Sequence, residues 1–129
     1  MVQSSSVLAG RRCLVVDDEM LIALDIEQIL LAAGAASVIC LGRAEEALAT
    51  LNGGSRFDVA VLDILQHGAT RNTFSVAAAL QLQKTPFIFL TGMRGAVLST
   101  GEFSGAPVVD KPYQPPLLIE AVLRALTAR

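Results

Sequence analysis

Five short apolar runs punctuate the chain, and each is followed by a stretch whose apolar residues recur with a helical period. The runs are Cys13-Leu14-Val15-Val16, Ser37-Val38-Ile39-Cys40-Leu41, Phe57-Asp58-Val59-Ala60-Val61-Leu62, Pro86-Phe87-Ile88-Phe89-Leu90 and Pro107-Val108-Val109-Asp110. Runs this short, rich in β-branched residues and almost without polar alternation, read as strands covered on both faces of a parallel sheet. Strands that alternate with helices imply parallel pairing and right-handed crossovers. The expected fold class is therefore α/β: a doubly wound, five-stranded parallel sheet with helices on both faces.

The helical stretches carry their own punctuation. Ile22, Ile26, Ile29, Leu30 and Ala33 share one helix face, and Gly34 stands where a helix C-cap is wanted. A second helix starts at about Arg43, with Ala44, Ala47, Leu48 and Leu51 inward, and Asn52-Gly53-Gly54 closes it. After a loop over 66–72, a third helix covers 73–83. A weaker helix is expected over 95–100, between glycines that disfavour it. Pro115 suits the first turn of a last helix, which places Ile119, Val122, Leu123 and Leu126 inward.

With 129 residues the chain has the size of one domain. Residues 1–10, with Ser4, Ser5 and Ser6 in a row, read as a flexible lead, and residues 11–129 as the domain. Hydrophobic residues make up 53% and charged residues 17%, which is the composition of a folded chain with an aliphatic core. The net charge of −2 offers no general attraction to nucleic acid. Neither a signal peptide nor a run long enough to cross a bilayer is present, so no membrane association and a cytoplasmic location are expected. Cys13 and Cys40 lie in strand-like runs and read as buried, reduced thiols. Two isolated cysteines and one histidine, His67, make no metal-binding spacing.

The polar residues that end the runs carry the chemistry. Strand one ends in Asp17-Asp18, strand three in Asp63, strand four in Thr91 and strand five in Lys111. Taken singly, each has a structural explanation: a helix cap, a turn, a strand exit, a solvated cation. Together they are more telling, because the chain has only two lysines and six aspartates. Binding sites of open parallel sheets form at the carboxyl ends of strands, at a switch in strand order. In the order 2-1-3-4-5 these five side chains converge. Three carboxylates cannot crowd together ionised without a cation. All-oxygen ligands favour a hard ion, and Mg²⁺ is the physiological choice. A carboxylate nucleophile, a metal, a hydroxyl and an ammonium describe a site for a transferred phosphoryl group.

With these motifs in place, the chain resembles the receiver domain of two-component response regulators over nearly its whole length, 11–126. The resemblance rests on Val15-Val16-Asp17-Asp18-Glu19, Val61-Leu62-Asp63, Thr91-Gly92 and Lys111-Pro112-Tyr113. It implies a flavodoxin-like sheet in the order 2-1-3-4-5. It implies Asp63 as phosphoacceptor, with Asp18, Asp63 and the backbone carbonyl of Leu65 as Mg²⁺ ligands and Asp17 acting through a metal-bound water. Lys111 would pair with the acceptor and then with the phosphoryl group, Thr91 would bond the phosphoryl group, and Lys111-Pro112 would be cis. The implied donor is a sensor histidine kinase or a histidine phosphotransfer protein. The output would be contact with a downstream protein or action as a phosphate sink. The chain would assist its own phosphorylation and dephosphorylation without being classed as an enzyme.

The motifs also depart from the family pattern. Val108 stands where the family's switch usually has an aromatic, so an aromatic flip coupled to Thr91 is not expected. His67 replaces the usual proline after Asp63 and reads as a surface loop residue. Phe89-Leu90-Thr91-Gly92 resembles a Phe-Ala-Thr-Gly subgroup of short receivers, with Leu90 for the alanine and Arg94 for that subgroup's tyrosine. The chain is read as a complete single-domain protein; a module of a longer protein is the alternative. An Asp-nucleophile phosphatase of the haloacid dehalogenase type would need a second Asp where Leu65 stands. A flavin-binding protein would need a hydroxyl- or glycine-rich loop where Asp17-Asp18-Glu19 stands.

Overall fold

The computed structural model describes residues 6–64, 73–92 and 105–127. Among them run β1 (Arg12–Val16), α1 (Met20–Ala32), β2 (Ser37–Leu41), α2 (Ala44–Asn52), β3 (Val59–Asp63), α3 (Thr73–Leu82), β4 (Phe87–Thr91), β5 (Val108–Asp110) and α4 (Pro115–Thr127). All neighbouring strands are parallel, in the order β2-β1-β3-β4-β5. The doubly wound sheet expected from the alternation is thus present. The expected helix over 95–100, the Leu65 carbonyl, His67 and Arg94 lie outside the described residues. Among the described residues, no helix is long and apolar enough to cross a membrane.

Strand alternation divides the core into two layers. Cys13, Val15, Val59, Val61, Ile88, Leu90 and Val109 face α1 and α4. Leu14, Val16, Ala60, Leu62, Phe87 and Phe89 face α2 and α3. Full burial of each such aliphatic or aromatic side chain contributes about 1.5–3 kcal/mol. The helices end as their glycines suggest: Gly34 at φ 103° and Gly54 at φ 99° take the left-handed conformation after α1 and α2.

Three expectations need correction. In α4 the buried residues are Leu118, Ala121, Val122 and Ala125, while Ile119, Leu123 and Leu126 only flank the core. Alanines let the helix backbone approach the sheet, and the larger side chains spread to either side. Within the lead expected over 1–10, Leu8 is fully buried and its N–H donates to the Ala33 carbonyl at 2.8 Å. Residues 6–10 form a turn that covers the end of α1, with Gly10 at φ 79°. Cys13 is buried as expected, but Cys40 is only half-buried, because β2 is an edge strand; both thiols are free.

Candidate phosphoryl-transfer site

The alternation that builds the core also aims the site. Asp63 continues the series Val59, Val61, and Asp17 continues Cys13, Val15, so both carboxylates emerge on the α1 and α4 side of the sheet. β1 and β3 pair with Val16 opposite Leu62, which brings their acidic ends side by side. One carboxylate oxygen from each of Asp17, Asp18 and Asp63 lies within 4.8 Å of the others. Asp17 and Asp63 are buried, and Asp18 is exposed.

Lys111 reaches this cluster from beyond β5. Its Nζ stands 2.6 Å from Asp63 Oδ1 and 3.8 Å from Glu19 Oε1. Its N–H donates to the Thr91 carbonyl at 3.0 Å, and the Lys111–Pro112 peptide bond is cis. Thr91 is the last residue of β4 and is buried. Because Asp63 pairs with Leu90, Thr91 lies one residue farther along the strand next to the acceptor. The structure thus brings Asp17, Asp18, Asp63 and Lys111 together at the end of the sheet where Thr91 also stands.

Burial governs the protonation of these groups. It pushes the Asp17 carboxyl up to about 6, with Asp63 adding repulsion and the Glu19 N–H, donated to Oδ1 at 2.8 Å, acting the other way. Burial also raises Asp63, although the hydrogen bond and charge of Lys111 oppose it. For Lys111, burial favours the neutral amine, but the bond to Asp63 outweighs it and the ammonium is held more tightly than usual.

These acids suit a hard divalent cation. The donors are all oxygen, they converge, and the buried Asp17 Oδ2 finds no hydrogen-bond partner among the described residues. Asp17, Asp18 and Asp63 are the residues that could hold the ion.

Three contacts were not assigned from the sequence. Glu19 shares Lys111 with Asp63. Thr73, fully buried at the start of α3, donates its hydroxyl to the Asp63 backbone carbonyl. Tyr113 donates its hydroxyl to Asp25 Oδ2 at 2.5 Å. Glu19 was visible as the third acid of its motif and Thr73 as a hydroxyl opening a helix, whereas no local pattern links Tyr113 to Asp25.

No protein-family model matches the chain, and no curated protein matches it. Solved structures do. A response regulator receiver protein from Sinorhizobium medicae WSM419 is 25% identical with a TM-score of 0.82, over 92% of this chain and 96% of that one. Chemotaxis response regulator CheY4 of Vibrio cholerae is 25% identical with a TM-score of 0.76, over 92% of this chain and 100% of that one. Response regulator PhyR from Brucella abortus is 27% identical with a TM-score of 0.74, over 95% of this chain but 50% of that one. In fold, the chain is similar to response-regulator receiver domains.

Proposed function

We propose that the chain accepts a phosphoryl group on Asp63 in a Mg²⁺-dependent reaction. The donor is a phosphohistidine on a sensor histidine kinase or a histidine phosphotransfer protein. The observation that carries this reading is the Lys111 ammonium 2.6 Å from Asp63 Oδ1, in a cluster of three converging carboxylates.

A carboxylate oxygen of Asp63 attacks phosphorus in line with the departing nitrogen. The new O–P bond forms as the P–N bond breaks, and the electron pair leaves with the donor imidazole. Asp17, Asp18 and Asp63 would hold Mg²⁺, which would neutralise charge on the transferred oxygens. Lys111 follows a phosphoryl oxygen as Asp63 loses its own charge. Thr91 donates its hydroxyl to a second oxygen. The modified chain then signals through protein contact or passes the group to water as a sink. It turns over no separate substrate, so it is not an enzyme in the usual sense.

Incubation with acetyl phosphate and Mg²⁺ tests the reading. Intact mass should rise by one phosphoryl group, and Asp63→Asn should abolish the gain. Equal labelling of Asp63→Asn would refute the acceptor assignment.

A further inference from the structure

We propose that Tyr113 and Asp25 form a latch that positions Lys111, an inference that rests on reading Lys111 as the cation of phosphoryl transfer. Tyr113 lies two residues beyond Lys111, in the turn between β5 and α4. Asp25 lies on α1, the helix that leaves the Asp17-Asp18-Glu19 turn. The hydroxyl of Tyr113 bonds Asp25 Oδ2 across 88 residues of sequence. The two segments that deliver opposite charges to the site are therefore tied together just behind those charges.

The surroundings make the tie selective. The Tyr113 ring packs against the core layer under α1 and α4, which fixes its direction. Asp25 is exposed, so nothing about core packing demands a carboxylate there. The Lys111 turn is held on its sheet side by the Lys111 N–H to the Thr91 carbonyl. The latch supplies the second attachment, on the helix side. With both in place the ammonium is confined between Asp63 and Glu19, at 2.6 and 3.8 Å. Without the latch the turn keeps the Lys111 N–H bond and the ring's packing but loses its polar tie to α1, and the ammonium meets Asp63 in a smaller fraction of the population. Tyr113 is thus a positioning residue: it touches no reacting atom and acts through Lys111.

Amide hydrogen exchange and labelling by acetyl phosphate test this in the full chain. Tyr113→Phe keeps the ring and removes the donor, and Asp25→Ala removes the acceptor at an exposed helix position. In each variant the Lys111 amide should exchange several-fold faster, while the Val15 and Val61 amides are unchanged. Labelling of Asp63 should slow by about tenfold, as misplacement of a charged group predicts. On a Lys111→Ala background Tyr113→Phe should cost nothing further, because the latch has no ammonium left to place. An equal change at all three amides, or the same slowing with and without Lys111, would overturn the latch. If the unaltered chain does not label at all, the phosphoacceptor reading fails, and exchange at the Lys111 amide alone decides the latch.

Discussion

Lys111 Nζ and Asp63 Oδ1 stand 2.6 Å apart, and the Asp63 side chain is only 7% exposed. A contact this short between ionised groups is a charge-assisted hydrogen bond, and it holds an otherwise unfavourable carboxylate in place. Lys111→Ala should leave the fold intact, with a stability change within about 1–3 kcal/mol. Its labelling by acetyl phosphate should fall by about a hundredfold, the usual effect of removing one donor from a developing charge. Urea midpoints and the time course of the mass gain check both; unaltered labelling would remove Lys111 from the reaction.

Asp17 gives the metal-free protein a pH dependence of defined sign. In the folded state its carboxyl holds a proton up to about pH 6, whereas the ordinary value is 3.8. Between those values the folded state binds more protons than the unfolded chain, so stability falls as pH rises through the window. The loss should reach roughly 3 kcal/mol, and Asp17→Asn should lack this component. Urea midpoints in chelator at pH 4 to 7, compared between the two proteins, measure it. Mg²⁺ at a hundredfold excess over its Kd should return about 2.7 kcal/mol at neutral pH, and Asp18→Asn should abolish most of that gain.

Thr73 supports the acceptor from below through its hydroxyl on the Asp63 carbonyl. Thr73→Val keeps the shape but leaves that buried carbonyl without this donor, at a cost of about 1–3 kcal/mol. Thr73→Ser retains the hydroxyl and should lose less. Chemical denaturation of the three proteins ranks them, and a valine variant as stable as the parent would show that the bond contributes nothing.

The two thiols should be slow nucleophiles. Burial pushes both Cys13 and Cys40 up to about 11, from an ordinary 9.0. The thiolate fraction near neutral pH is then lower by about a hundredfold. Iodoacetamide should modify half-buried Cys40 slowly in the native protein, and Cys13, fully buried, only after unfolding. Peptide mass mapping of the alkylated chain separates the two.

Much of the fold was legible because strands and helices declare themselves locally. The apolar runs begin and end within about two residues of β1 to β5, and Gly34 and Gly54 mark the ends of the first two helices. In α4 Val122 is buried as its pattern indicates, but Ala121 and Ala125 rather than Ile119, Leu123 and Leu126 complete the buried face with Leu118, because large side chains dominate a hydrophobic pattern whereas close packing on a sheet admits alanines. Leu8 was missed because a single buried residue in a polar lead has no period to reveal it.

The amino-acid sequence by itself determined which segments become strands and which chemical groups stand at their carboxyl ends, since both follow from the order of residues along a few ångströms of chain. Tertiary structure alone decided that Lys111 closes on Asp63, that Asp17 Oδ2 is buried with no hydrogen-bond partner among the described residues, and that Tyr113 reaches Asp25. These are contacts between residues far apart in the chain. They depend on strand order, register and helix placement, which the packing of the whole domain sets and no local pattern encodes.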